Sequence, residues 1–581
     1  MIPRAFLNVE ASLTGRRWTG PSVEAERLAE AMAQITRLPL ALCHTLVARG
    51  VAPADAQTFL APSLRDLLPD PLRLRDMGPA AARFVQALRK RQRIAIFADY
   101  DVDGGASAAL LIVWLRAMRH RATLYIPDRI DEGYGPNEPA MAALAATHDL
   151  IVCVDCGTLS HGPIAAAHAA DVVVLDHHLG AETLPPALAV VNPNRQDEDG
   201  SLSHLCAASV VFLMLVEANR QLRTDGVAGP DLMAMLDLVA LATVADVAPL
   251  LGVNRALVRQ GLRVMARRER VGLTALADLA RMDSAPTPYA LGFLLGPRVN
   301  AGGRIGQADL GARLLSTDDP HEAQALAERL DTLNTERREI EARVREAALA
   351  QACERGMDAA LVWAAGDGWH PGVVGIVAAR LKEAAHRPAV VIGFDGDIGK
   401  GSARSVFGVD LGAAVQRLAA EGLLLKGGGH KMAAGLTVTR DQLAPAMARL
   451  DELLARQGAA DGGPRDLAID SLLMPSAATA ALVEQIDAAG PFGASAPAPR
   501  FAFADVAISA RRMGGSHLRL SFGDGPGARL EAVAFGAFDG PLGPALENPG
   551  HLRFHLVGRL EVNTWGGKTK VQLRLEDAAR A

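Results

Sequence analysis

Cysteine is scarce in this chain: five in 581 residues, an odd number without framework spacing. That excludes a disulfide-stapled scaffold and fits a reducing cytoplasm. Long apolar runs are missing too. The longest, such as Val210 to Val216, fall far short of the roughly 18 residues that span a bilayer, so no membrane partner is expected. The opening Met1-Ile2-Pro3-Arg4-Ala5-Phe6 has no apolar core of signal-peptide length. The formal net charge of −5 excludes a surface sheathed in positive potential but leaves room for a locally basic groove. Lysine is nearly absent, with seven residues among 60 cationic side chains. Genomic base composition accounts for the arginine bias. Yet five of the seven lysines (400, 426, 431, 568 and 570) fall in three glycine-rich stretches, by chance or because a compact ammonium suits phosphate.

What is present is apolar substance, half of all residues, in a chain long enough for three or four domains. Residues 1 to about 80 read as helical and auxiliary. From about 90 to 250, β-type runs alternate with Ala-rich helical segments: strand 94–98, helix 106–118, strand 122–126, strand 150–154, helix 162–170, strand 172–175. That alternation predicts a parallel sheet covered on both faces. Residues 321 to about 354 are highly charged and free of Gly and Pro, which predicts one long helix connecting two domains. A second α/β unit follows from about 357 to 455. Alternating runs such as Leu518-Arg519-Leu520-Ser521-Phe522 then suggest a small terminal barrel. The expectation is a multidomain α/β protein with no internal repeat.

Three predicted strand ends carry metal-ligand chemistry. Asp99-Tyr100-Asp101-Val102-Asp103-Gly104-Gly105 follows the first apolar run, Asp155-Cys156-Gly157 follows Leu150 to Val154, and Asp176-His177-His178 follows Val172 to Leu175. Open α/β sheets place their sites at such ends. Asp246 closes a further apolar segment. Carboxylates with one or two imidazoles suit paired Mn²⁺ or Mg²⁺, and two such ions about 3.5–4 Å apart promote phosphoryl transfer. Taken singly, an acid after a strand is ordinarily a helix cap. Asp99 reads as a cap or an outer supporting group, because three acids within five residues cannot all face one ion. Cys153 and Cys156 lack a second pair to complete a zinc site and read as strand packing.

Asp101-Val102-Asp103-Gly104, Asp155-Cys156-Gly157, Asp176-His177-His178 and Ala245-Asp246 resemble the four ordered motifs of the DHH phosphoesterase superfamily. The resemblance implies Asp101, Asp103, Asp155, His177 and Asp246 as metal ligands, with Asp155 bridging two ions and His178 beside the scissile phosphate. Phe97 stands where some members have a further ligating His, which argues against a pyrophosphatase. Gly399-Lys400-Gly401-Ser402-Ala403-Arg404-Ser405 and Lys426-Gly427-Gly428-Gly429-His430-Lys431 read as loops that cradle anions, or as ordinary glycine-rich turns. Together with His370-Pro371-Gly372 they resemble the DHHA1 domain, which casts Ser402, Arg404, Ser405 and His430 as substrate contacts.

Gly296-Pro297-Arg298-Val299-Asn300-Ala301-Gly302-Gly303-Arg304 is similar to a signature of RecJ-type exonucleases, which would turn Arg298 and Arg304 to a nucleic-acid backbone. Pro127-Asp128-Arg129 with Glu132-Gly133-Tyr134-Gly135 matches the same family, adding Arg129 as a contact and Tyr134 as a base-stacking ring. The C-terminal stretch around Trp565, Lys568 and Lys570 resembles the oligonucleotide-binding barrel of those enzymes. With aromatics at 4%, backbone electrostatics should carry much of the affinity. The implied plan is an auxiliary segment 1–80, a parallel-sheet DHH domain 81–318, a connector helix 319–356, a DHHA1 domain 357–456 and an OB-like barrel 465–581. The implied activity is two-metal hydrolysis of single-stranded DNA from its 5′ end to mononucleotides, in repair and recombination, by a cytoplasmic monomer served by a single-strand-binding protein and a helicase. The alternatives are a DHH phosphodiesterase of short oligonucleotides or cyclic dinucleotides, which needs neither connector nor barrel, and an inactive nucleic-acid-binding scaffold, which need not retain the ligand set.

Overall fold

The computed structural model describes residues 4–129, 131–459, 466–523, 529–565 and 568–581, with side chains outside 564–569. Two compact units emerge. One comprises Pro69–Ala248 with Gln260–Gly463; the other gathers Met1–Leu68, Pro249–Arg259 and Pro464–Ala581.

The first unit holds two sheets. The N-terminal one has five parallel strands in the order Ala122–Tyr125, Ile94–Ala98, Leu150–Val154, Asp171–Leu175, Ala189–Val191. The three central strands are almost wholly apolar and buried, as expected where helices cover both faces. From Ile94–Ala98 the chain first adds a strand on one side, then crosses to add Leu150–Val154 on the other. The order therefore reverses between those two strands, and a crevice opens beyond their carboxyl ends. Cys153 and Cys156 are buried in this core with Phe97, Ile151 and Val174, as packing residues.

The helix after the first strand begins at Val102, four residues earlier than sequence periodicity suggests, because Asp101 caps it by accepting from the amides of Asp103 and Gly104. Gly104 is obligatory here: a Cβ would lie 2.4 Å from the Asp99 carbonyl oxygen.

The long helix Pro320–Arg355 spans 36 residues. Near one end Leu330 and Leu333 fill the space left by Gly302 and Gly306. Towards the other, Val344, Ala348 and Ala352 join the core formed by Val362, Val373 and Val377. It is thus a packed spine and not a tether. The second sheet runs Lys426–His430, Ala433–Thr439, Ile398–Arg404, Ala389–Asp395, Val362–Asp367, with only the last two parallel. Here the structure corrects the sequence reading: both glycine-rich stretches taken as loops are largely strands. Gly399 and Gly401 leave room for Ile392, Phe394 and Leu436, whose side chains a Cβ would meet at 2.7–2.9 Å.

The second unit is built on a closed barrel, Phe501–Met513, His517–Phe522, Leu530–Ala534, Lys568–Arg580 and Arg553–Trp565, the last strand pairing back to the first. Phe501, Phe503, Phe522 and Phe554 fill it with leucines from the four strands other than Phe501–Met513. The N-terminal segment does not stand apart. Arg17–Thr19 pairs in parallel with Asp466–Ala468, and the fully buried Trp18 donates its indole N–H to Asp577 at 3.0 Å. Trp18→Phe should strand that buried carboxylate oxygen and lower stability by about 2 kcal/mol or more. An unchanged urea midpoint would show that the bond contributes nothing.

Candidate active site

Strand register assembles the site. Ala98 lies beside Val154, and Val154 beside Leu175, so the next residues of the three strands, Asp99, Asp155 and Asp176, emerge side by side. Asp155 takes a left-handed φ of +60°, which turns its carboxylate back over the sheet edge. Asp103, in the first turn of the Val102–Ala117 helix, accepts from the amides of Ala207 and Ala208 at 2.7 and 2.8 Å. Asp246 arrives from the last turn of the helix Leu236–Ala245.

His177 stands at the centre. Its Nε2 is 3.2 Å from Asp155 and 3.7 Å from Asp103, and its Nδ1 is 3.8 Å from Asp246. Ligand atoms lie within 4.8 Å of one another in three overlapping sets: Asp155, His177 and His178; Asp103, His177 and Asp246; Asp99, Asp101 and Asp155. The structure therefore brings together all six residues singled out from the motifs. It also turns Asp99 into the cluster, where sequence reasoning held it outside. Its position directly after the strand, in register with Asp155, was the available signal.

Such a gathering of acids is electrostatically unfavourable by itself. Burial first, and then Asp103, Asp101, Asp99 and Asp246, push the Asp155 carboxyl well above its usual range. Asp99 is raised by burial and Asp101. Asp246 is pushed up to about 9 by burial, Asp103 and Asp101. Asp99 Oδ1 and Asp155 Oδ1 are buried without a hydrogen-bond partner. Orphaned oxygens among acids and imidazoles form the donor set of hard divalent cations, with the nitrogens tilting it towards Mn²⁺.

Asp176 behaves differently. It accepts from the amides of Thr158, His177 and His178, and from His178 Nδ1 at 2.8 Å. Burial opposes ionisation, but these bonds and the His178 charge hold Asp176 below the usual carboxylate range. In return, Asp176 outweighs the effect of burial on His178 and lifts it to about 9. Tyr134 donates its hydroxyl to the Asp155 carbonyl at 3.1 Å and lies edge-on to His178, its ring half exposed.

Cationic side chains gather beside this cluster from the loop after Ala122–Tyr125, the Gly296–Ile305 helix and the second sheet. Arg129 sits over the Tyr100 ring at 5.1 Å. Burial, then the proximity of Arg129, lowers Arg304 to about 10 and also lowers Arg404 and His370. Arg304 reaches the Gly372 carbonyl at 3.3 Å. The lack of a side chain at Gly375 makes room for Ser402 and Arg404: a Cβ there would be 3.2 Å from Ser402 Oγ and 3.1 Å from Arg404 Nη2. Asn300, which sequence reasoning passed over, accepts the Val102 amide at 3.0 Å, and Gly303 admits the Tyr100 carbonyl. The glycine-rich signature thus braces the metal-ligand loop.

Two expected contacts are engaged elsewhere. Arg298 pairs with Asp331 on the long helix at 2.8 Å and donates to the Leu294 carbonyl, closing its own helix onto the spine. Ser405 is buried and donates to the Val409 carbonyl at 2.9 Å, holding a turn. His430 is exposed at its strand end, and Lys570 is exposed on the barrel. The side chains of Trp565 and Lys568 lie outside the described residues.

Asp155→Asn replaces a buried carboxyl, whose ionisation its neighbours oppose, by a neutral amide at a φ that Asn readily adopts. The metal-free variant should be more stable than the parent by about 1 kcal/mol and should lose the stabilisation that saturating Mn²⁺ confers. Paired urea titrations with and without Mn²⁺ read both effects, and a destabilised metal-free variant would contradict this account of the cluster.

Family models match the N-terminal domain of the DHH family over residues 93–243, the DHHA1 domain over 358–456 and the RecJ OB domain over 469–577. The single-stranded-DNA-specific exonuclease RecJ of Dickeya dadantii is 38% identical over 559 residues, covering 93% of this chain and 96% of the relative. That of Escherichia coli is 35% identical over 560 residues, with the same coverage of each. The crystal structure of RecJ in complex with Mn²⁺ from Thermus thermophilus superposes with a TM-score of 0.79 at 29% identity, covering 97% of this chain and 79% of that one. Fold, ordered motifs and full-length kinship agree: the chain belongs to the RecJ family of DHH exonucleases.

Proposed function

We propose that this protein hydrolyses single-stranded DNA from its 5′ end, releasing 5′-mononucleotides, with two divalent ions held by Asp101, Asp103, Asp155, His177 and Asp246. The observation that carries the reading is the buried Asp155 oxygen, without a hydrogen bond and crowded by four further acids, an arrangement that bound cations would compensate. Kinship supports it: the relatives matched along nearly their whole length are named single-stranded-DNA-specific exonucleases. Bound divalent ions supply activation of water and neutralisation of phosphoryl charge.

The remaining chemistry falls to side chains. His178, held through Nδ1 by Asp176, presents a cationic ring edge to the scissile phosphate. Tyr134 fixes the Asp155 backbone beneath it. Arg129, Arg304 and Arg404, with Ser402 and His430, hold the phosphates flanking the cut, and contacts to phosphate alone suit substrates of any sequence. Exclusion of duplex, a role in repair and recombination, a monomeric state in the cytoplasm, and supply of substrate by a helicase and a single-strand-binding protein belong to the same proposal.

Strands labelled at either end, duplexes and cyclic dinucleotides, each incubated with Mn²⁺ or Mg²⁺, test the reading directly. The expected result is release of mononucleotides from the 5′ end of single strands only; cleavage confined to cyclic dinucleotides would sink it. Gly375→Ala intrudes on the Ser402–Arg404 cradle and should raise KM severalfold with little change in kcat. A selective fall in kcat would place that cradle at the reacting centre instead.

A further inference from the structure

Both histidines of the cluster sit in a loop whose backbone is gripped from outside by a single turn. That turn, Asn192-Pro193-Asn194-Arg195, follows the edge strand Ala189–Val191. Asn194 donates its side-chain amide to the His177 carbonyl at 2.5 Å. Asn192 is fully buried and donates to the His178 carbonyl and to the Thr158 hydroxyl, each at 2.8 Å. Its oxygen accepts the Asn194 backbone amide at 2.7 Å. The Gly180 amide closes the grip by donating to the Asn194 carbonyl at 3.1 Å, and a Cβ on Gly180 would stand 3.3 Å from that same oxygen. Arg195 anchors the turn in its place, reaching Asp76 at 2.8 Å and the Val190 carbonyl at 2.7 Å.

Peptide planes are rigid, so fixing one carbonyl fixes the dihedral angles on either side of it. The plane that enters His177 is held by Asp176, which accepts the His177 amide at 2.8 Å. The plane that leaves it is held by Asn194, and the plane that leaves His178 by Asn192. His177 thus stands between Asp176 and Asn194, and His178 between Asn194 and Asn192. The Thr158 hydroxyl accepts from Asn192 and so turns its own proton to Asp176, the carboxylate that holds His178 Nδ1. Asn192 therefore reaches His178 twice, through its backbone and through its ring.

We propose that the two asparagines are positioning residues with separate duties: Asn194 sets His177 against the metal ions, and Asn192 sets His178 against the scissile phosphate. The assignment rests on the two-ion exonuclease reading above. In that reading His177 is a ligand, so a rotated ring costs metal binding. His178 is not, so a rotated ring costs only its contact with the phosphoryl group. Metal affinity and turnover are then governed from positions two residues apart in one turn.

Calorimetric titration of the full chain with Mn²⁺, without DNA, separates the duties when set beside kcat on a single strand at saturating Mn²⁺. Asn194→Ala should raise the Mn²⁺ dissociation constant about tenfold or more. Asn192→Ala should bind Mn²⁺ as the parent does, while kcat falls about tenfold with little change in KM. Thr158→Val keeps the shape of the side chain and cuts only the ring-directed limb, so it should lower kcat in the same way. It also carries the test if Asn192→Ala does not fold. Parental Mn²⁺ affinity in Asn194→Ala overturns the division of duties, as does weakened Mn²⁺ binding or parental kcat in Thr158→Val. A parent chain that neither binds Mn²⁺ nor cuts single strands overturns instead the reading beneath it.

Discussion

The mutual repulsion of buried carboxylates is the constraint on which the catalytic unit turns. Parallel pairing of three apolar strands brings Asp99, Asp155 and Asp176 out side by side, and helix starts add Asp101 and Asp103. The rest of the unit answers that crowding. Asp103 is held by two backbone amides, Asp176 is satisfied by Thr158 and the two histidines, and His177 is wedged between three acids. What stays unsatisfied, at Asp99 and Asp155, is what gives the crevice its affinity for cations. The stability of the parallel sheet is what holds this unfavourable arrangement in place.

The long helix extends that logic. One side of it buries leucines under the Gly296–Ile305 helix, which braces the metal-ligand loop through Asn300; further along it completes the core under the second sheet. A displacement of the second sheet would therefore be transmitted to the acids through packed side chains. Arg298, pinned to Asp331, belongs to this spine and not to the substrate surface.

Much of this was legible in the sequence. Apolar runs ending in Asp and His disclosed the sheet and its site, because burial on both faces and strand-end chemistry leave strong local signatures. What escaped notice depends on distant partners. Ser405 looks like a phosphate ligand in its motif, but its hydroxyl is taken by Val409. The glycine-rich stretches look like loops because strand glycines carry no apolar signal, whereas their purpose is to admit Ile392 and Leu436 from neighbouring strands. The three-residue strand around Trp18 is too short to show any period, and its partner lies more than four hundred residues away.

That distant pairing has a bearing on how the molecule comes into being. The strand Arg17–Thr19 leaves the ribosome early, yet its partner Asp466–Ala468 and the carboxylate that receives the Trp18 indole are made only near the close of translation. The catalytic unit between them runs to Gly463, so it is made just ahead of that partner strand and folds as domains do, in order of synthesis. During that interval the early segment waits without its strand partner or the acceptor for its indole, and the barrel unit closes last.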